Sequence, residues 1–405
     1  MKRKLLTLIA LASVLSLVVV PACAPGGGGE LPPIKIGLVV HRSGLLAGYG
    51  QQVERGFMLG LQYATEGSMK VLGRDIVVMI EDDQTNPTLT RTKAEKLLDE
   101  GATFLTGPAS TPCALVLNAL AIERKNFIVV QGASPGLSVT GSQFNRYVFR
   151  TAQNNDQDAM AAVAYGIEEL GYKWGLFGPE GPAGQDPILA WGDALTAANA
   201  TIVYNSTAPL DTMDFAPYVA PYLELAGQGN LDVVGITWAG ATAGAFFNGF
   251  VMPLVEVGVP CYGVLADTAA LRALPPEWEG GVAVARYFWN LPDNEVNDWL
   301  VQTHNATYQE PPELFTDSSF AAAQAIVEGI KRAGTADNVD QLIAAMEGMT
   351  WQTPKGARTF RREDHQALQE AYIVQLVFNE ELGILYPQLL ETIPAADLVP
   401  PIRVP

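Results

Sequence analysis

The chain has 405 residues, 48% of them hydrophobic and 17% charged, and carries a formal net charge of −18. That length exceeds one ordinary core and sets two domains as the expectation, while the composition is that of a packed globular protein. The acid excess argues against nucleic-acid or anionic-membrane binding through a basic patch.

Lys2, Arg3 and Lys4 precede an unbroken apolar run from Leu5 to Val20, which ends in Pro-Ala-Cys at Cys23. A basic start, an apolar stretch and a small residue before a cut define a secretory signal. The cysteine at that point resembles the lipobox of bacterial lipoproteins, which implies a signal peptide over 1–22 and Cys23 as the lipidated first residue. Pro21 is a slight departure from that pattern. The run of sixteen residues falls short of the roughly 20 a spanning helix needs, which speaks against an uncleaved anchor. Gly26–Gly29 read as a flexible tether within 23–33.

The mature part begins with a buried strand, Ile34–Val40, and a Gly-rich loop, His41–Gly50, followed by a helix from about Gln51 to Thr65. A second strand, Asp75–Ile80, closes in the acidic loop EDDQTNP, and Pro87 suits the first position of the next helix, to Leu98. Gly101–Gly136 then supplies strand Ala102–Leu105, a Gly-Pro loop with Ser110 and Thr111, a helix, strand Phe127–Val130 and a second small-residue loop. Short apolar runs alternating with an apolar-rich helix are the βαβ signature of a parallel sheet. Both loops fall at the carboxyl ends of strands, the edge where open α/β sheets bind ligands. Ser110 and Thr111 also stand at a helix start, which favours an anion.

Tyr147–Arg150 reads as a crossover strand, after which the alternation restarts. Helices are expected at Asp158–Leu170, Pro187–Ala198, Phe215–Ala226 and Ala243–Val257, with strands at Trp174–Phe177, Thr201–Tyr204 and Asp232–Thr237. The last third holds strand Val282–Tyr287, helices near Val296–Tyr308 and Ser318–Ala333, and a β-rich piece from Ala371 to Phe378. The fold class is therefore α/β, with two Rossmann-like lobes, a ligand cleft between them and a chain that crosses three times. Lobe one is expected over 34–150 and 286–358, lobe two over 151–285 and 359–405.

The order of segments resembles the type I substrate-binding proteins of ABC transporters, of the branched-chain amino-acid-binding kind. The resemblance covers nearly the whole mature chain. It rests on IKIG at Ile34, SGLLAGYG at Ser43, EDDQTNP at Glu81, GPAST at Gly107, VVQGASP at Val129, YVFRT at Tyr147 and the Trp174–Gly184 strand and loop. It implies that lobe one holds a ligand carboxylate through hydroxyls and backbone N–H groups at Ser110 or Thr111 and at Gly132 with Ser134, under an aromatic cover from Tyr49. The second lobe departs from the pattern. Ala183 stands where a tyrosine is expected, and Leu265 near where a glutamate would hold the ligand ammonium. Asp267 is a replacement carboxylate or a solvated loop residue, and Trp238 with Leu265 would suit an apolar ligand tail.

Three enzyme or cofactor signals compete and lose. Gly132–Gly136 satisfies G-x-S-x-G, but Pro135 lacks the N–H that the oxyanion hole requires after the serine. The three histidines show no metal-site spacing, and neither HExxH nor a phosphate-binding GxxxxGK[ST] occurs. Glu81, Asp82 and Asp83 could bind calcium; capping the Pro87 helix is the expected role. No cofactor and no metal are expected. Cys113 and Cys261, far apart in the chain and without a CxxC, are expected as free buried thiols, although an oxidising compartment permits a disulfide.

The resulting expectation is an extracytoplasmic lipoprotein that is not an enzyme. It would bind a neutral amino acid or a related small carboxylate or amide, close over it, and pass it to a permease. It is expected to be a monomer. A receptor domain for a signalling partner is the alternative, with a serine hydrolase far behind.

Overall fold

The computed structural model describes residues 31–404 except 239–241, 266, 275 and 381. Cys23 and its leader lie outside the described residues. The first lobe is built on a six-stranded sheet whose strands run, edge to edge, Lys70–Val71, Arg74–Asp82, Ile34–Val40, Phe104–Thr106, Ile128–Gln131 and Val148–Arg150. All neighbours are parallel except the two-residue edge strand, which turns back on Arg74–Asp82. Ile36, Leu38 and Val40 enter one core and Val39 the other, because successive side chains of a strand alternate in face. A strand covered on both faces has no polar stripe, which is why IKIGLVV reads as a continuous apolar run.

The second lobe carries a seven-stranded sheet in the order Ile384–Ile393, Ala371–Asn379, Val282–Ala285, Cys261–Val264, Val233–Ile236, Lys173–Pro179 and Thr201–Ala208. Its last two strands in sequence are antiparallel and close one edge. Trp174 and Phe177 lie on opposite sides of this sheet, in separate cores.

Several elements differ from the sequence expectation for local reasons. The helix expected from Asp158 starts at Asn155, because Asn154 and Gln157 form a reciprocal capping box. The helix expected from Ser318 starts at Leu314 and runs to Ala333, with Glu313 at its cap. The span 243–256 is helical but interrupted by a π-turn at Phe247–Val251 just before Pro253. Proline offers no N–H to the preceding turn, and a π-turn absorbs that loss. Strand Cys261–Val264, helix Val339–Met346 and hairpin Thr350–Phe360 lacked a signal strong enough to read.

The chain passes between lobes after Arg150, after Ala285 and after Ala367. Glutamines lace the first and last passages together. Gln366 accepts from Arg150 Nε at 2.6 Å and donates to the Ala152 carbonyl at 2.9 Å, and Gln369 donates to the Thr151 carbonyl at 3.0 Å. Phe288 and Leu291, beyond the second passage, still pack with the second sheet, whereas Trp351, Phe360 and Ala367 pack with the first.

Helix Leu314–Ala333 returns to the first lobe and lies along helix Ala47–Ala64. The two backbones approach closely at Gly56 and Gly60, where an added Cβ would fall 2.2 Å from the Thr316 carbonyl oxygen and 2.5 Å from that of Phe320. Backbone cannot yield there as a side-chain tip can. Gly56→Ala is therefore expected to cost about 1–3 kcal/mol of stability by forcing the helices apart, read as a lowered midpoint in chemical denaturation. The exposed Gly67→Ala, which meets nothing within 4 Å but sits at a φ of +78°, should cost about 1 kcal/mol through backbone strain alone.

Candidate ligand site between the lobes

A cleft of about 560 Å³ opens between the carboxyl ends of the strands of both sheets. Tyr49, Ser110 and Thr111 line it from the first lobe, Trp238, Leu265 and Arg286 from the second, and Phe315 from the returning helix. Each follows a strand end or helix start, the position that points a side chain across such a crevice.

On the first wall, Ser110 is the N-cap of helix Thr111–Arg124, yet its side chain makes no capping bond. Thr111 Oγ1 lies 3.1 Å from Ser134 Oγ. Ser134 is fully buried, and Gly132 packs its Cα against Ser319. Neither Gly132 nor Ser134 is on the cleft wall; Ser134 backs Thr111 from behind. The backbone donors of this loop are also committed elsewhere. The N–H groups of Ala109 and Ser110 both point at His41 Nε2, each at 3.1 Å, and His41 Nδ1 meets Asp83 Oδ1 at 2.5 Å. With Nε2 accepting, the ring carries its proton on Nδ1 and donates it to Asp83. The Ser110 amide, one of the donors expected to meet the anion, is thus occupied by a buried imidazole.

His41, Asp83 and Cys113 bring their ligating atoms within 4.8 Å of one another. Asp83 also accepts from Thr90 Oγ1 at 2.8 Å and from the Thr85 N–H at 3.1 Å. These bonds use the donors and acceptors internally, and the cluster reads as the fastening of the loop. The rest of the acidic stretch behaves alike. Asp82 collects Ser43 Oγ at 2.6 Å and three backbone amides, and Glu81 binds Lys93 and Lys96. Asn86 caps the Pro87 helix, so the acids hold loops together and do not cap it. Cys113 and Cys261 are buried and unpaired.

On the second wall, Trp238 lies nearly parallel to Phe246 at 5.2 Å and donates Nε1–H to Thr242 Oγ1 at 3.1 Å, which fixes its ring as a flat apolar surface. Arg286 is the feature the sequence reading missed. It forks onto buried Asp158, with Nε 3.1 Å from both carboxylate oxygens and Nη2 closer still. Burial alone would lower its pKa; Asp158 outweighs that and holds the guanidinium charged. The readable signal was an arginine placed directly after the apolar run Val282–Ala285, at the ligand edge of the sheet. Among the described cleft-lining residues Arg286 is the one basic side chain.

Tyr49 meets Phe315 edge-on at 4.9 Å, and burial, reinforced by Asp267, pushes its phenol up to about 12. Asp267 itself is not on the cleft wall. It accepts from Gln52 Nε2 of the first lobe at 3.2 Å. The next residue, Thr268, donates its backbone N–H to both oxygens of Glu313, each at 3.2 Å. These bonds tie the lobes across the cleft. Ala183 falls in the first turn of helix Pro182–Ala197.

Two α/β lobes joined by three passages, with a mostly apolar crevice between their ligand edges, define a bilobal solute-binding protein. The chain matches the model of the periplasmic binding protein family over residues 33–381 and belongs to that family. A branched-chain amino acid transporter protein of the ABC type from Rhodopseudomonas palustris CGA009 is 32% identical, with a TM-score of 0.81, over 92% of this chain and 100% of that one. A Leu/Ile/Val-binding protein homolog of Brucella abortus is 25% identical over 89% of this chain and 91% of its own length. A solute-binding protein from Rhodopseudomonas palustris BisB5, solved with 3,4-dihydroxybenzoic acid, shares the fold at a TM-score of 0.77 and 23% identity over 90% of this chain and 98% of its own. The protein is thus an extracytoplasmic solute-binding component of ABC transport, and not an enzyme. No helix among the described residues is long and apolar enough to cross a membrane.

Lobe closure should depend on pH. Burial first, then the facing Asp267 carboxylate, raise the Glu313 carboxyl to about 7 against an ordinary 4.5, with Thr268 opposing the rise. Opening returns Glu313 to water, so the closed form holds the extra proton. Closure, and with it ligand affinity, should strengthen as pH falls from 7 toward 4.5 and be flat above 7. Titration calorimetry should show binding on the order of tenfold tighter at pH 5 than at pH 7.5. Glu313→Gln should remove that dependence, and an unchanged slope in the variant would contradict it.

Proposed function

We propose that this protein is a lipid-anchored monomer that captures a small organic acid with an apolar or aromatic body and hands it to its permease. The observation that carries the ligand class is Arg286, set in a crevice otherwise walled by Tyr49, Trp238, Leu265 and Phe315. A guanidinium held charged by Asp158, in a largely apolar cleft, favours a carboxylate on its free side through a charge-assisted bond strengthened by low dielectric. The hydroxyls of Ser110 and Thr111 stand on the facing wall as further donors. An amino acid also needs a carboxylate for its ammonium. Asp158 is engaged by Arg286 and by Gln153 Nε2 at 2.8 Å, Asp267 by Gln52, and Glu313 by Thr268. Leu265, on the wall, supplies none, and Asp211, which also lines the cleft, is solvent-exposed, where an ion pair is weak. The fold accommodates such a ligand in the dihydroxybenzoate-bound neighbour. Capture then proceeds by hinge closure, with the closed form stabilised by contacts that need both lobes. Processing at Cys23 would supply the anchor.

Thermal unfolding of the tether-free protein against a panel tests this reading. Benzoates and branched aliphatic acids lacking an amine should raise the midpoint, since a ligand at 100 times its Kd adds about 2.7 kcal/mol. Leucine, isoleucine and valine should raise it less than their amine-free counterparts. A larger rise with the amino acids would assign the ligand class to them instead.

A further inference from the structure

A small cavity of about 10 Å³ adjoins the cleft, sharing Arg286 and Phe315 with it and bounded further by Gln153, Asp317, Ser318 and Gln369. That volume suits one water-sized group. The polar atoms around it are almost all committed. Gln153 donates to Asp158 and accepts from Lys355 at 2.5 Å; Gln369 donates to the Thr151 carbonyl; Ser318 donates to the Leu314 carbonyl at 3.3 Å; Arg286 is held by Asp158. Asp317 is the exception. It is 2% exposed, its Oδ2 takes a hydrogen bond from Arg358 Nη2, and its Oδ1 is buried with no partner; Nε and Nη1 of Arg358 are likewise buried without partners, and neither donates to Oδ1. A buried carboxylate oxygen without a donor costs free energy that native structures rarely leave uncompensated.

The charge around the cavity narrows what would meet that oxygen. Arg286 lines it, Arg358 binds the same carboxylate, and the Lys355 ammonium reaches the two glutamines beside it. Asp158 and Asp317 are each already matched by an arginine, so no net negative charge is left there to hold an ammonium, while the remaining acceptor on Asp317 asks for a donor. A neutral hydroxyl satisfies both conditions.

We infer that this cavity is a one-group polar subsite of the ligand cleft, in which Asp317 Oδ1 accepts a hydrogen bond from a hydroxyl on the bound acid, with water in its place when no such ligand is present. Asp317 then selects hydroxylated acids over their plain counterparts. The inference rests on the acid-binding reading above and adds a second polar contact to it.

Two measurements test it. The first is calorimetric titration of wild-type protein and Asp317→Asn with benzoate and 4-hydroxybenzoate, with circular dichroism melting as a control of folding. Wild type should prefer the hydroxylated acid by several-fold to roughly thirtyfold, the gain from releasing the water that the hydroxyl replaces, and the variant should lose most of that preference while still binding benzoate. Equal wild-type affinities would overturn the inference but leave the acid-binding reading intact. Failure of both acids to bind would overturn this selection together with that reading. The second measurement is a ligand-free crystal structure of wild type at high resolution. One ordered water within hydrogen-bond distance of Asp317 Oδ1 supports the subsite. A dry cavity, or an Arg358 fork that reaches both oxygens of Asp317, would overturn it without bearing on acid binding.

Discussion

The pairing of Arg286 with Asp158 is the interaction on which the site depends. Asp158 sits almost fully buried on helix Asn155–Glu169, where an isolated carboxylate would carry a desolvation cost of several kcal/mol. Arg286 removes that cost from one side, and Gln153 contributes a second bond. The guanidinium is thereby locked at the exit of strand Val282–Ala285, where the chain leaves the second sheet and where the cleft lies. One residue thus belongs to both the hinge and the ligand wall. Movement of the passage moves the cation that meets the ligand, which couples binding to the relative position of the lobes.

The hinge holds many polar side chains for so buried a region. Arg150, Lys355, Arg358, Gln366 and Gln369 are each at most 1% exposed. Burial lowers Lys355 to about 7, with the neighbouring Arg358 adding to the effect. Hydrogen bonds of this kind are directional, so they define discrete arrangements of the passages where an apolar packing would permit sliding. The cross-lobe contacts are of another kind. Thr268 to Glu313 and Gln52 to Asp267 bring two carboxylates together, and Leu137 donates its N–H to Asp186 at 2.9 Å. A durable hinge and a weak latch suit a protein that must both close and release.

Much of the fold was legible in the chain. The continuous apolar runs of strands buried on both faces, the Pro87 helix start and the restart of the alternation after Arg150 each have a local cause that a sequence displays. Helix Leu314–Ala333 was recognised only from Ser318 onward, because its cap is a glutamate, outside the residues usually favoured at that position. Strand Cys261–Val264 is four residues long with a glycine inside, too short to show a period. At the site, Ser110 and Thr111 were placed at the ligand edge by their position after a strand, and Tyr49 and Trp238 through the family resemblance; all four line the cleft. Gly132, Ser134 and Asp267 were assigned to the ligand but lie behind or beside the wall. The bonds of Ser134 to Thr111 and of Asp267 to Gln52, and the close packing of Gly132 on Ser319, depend on contacts between distant segments. Arg286 escaped notice because the run through Tyr287 read as one strand, and a residue inside a strand is not at its ligand edge.

The account stands or falls on where the anionic end of the ligand goes. A crystal structure of the protein with a bound benzoate decides it directly. The prediction is a carboxylate within hydrogen-bond distance of Arg286, inside a cleft closed by the Thr268–Glu313 bond. A carboxylate seated away from Arg286, with Asp158 turned to another partner, would contradict it.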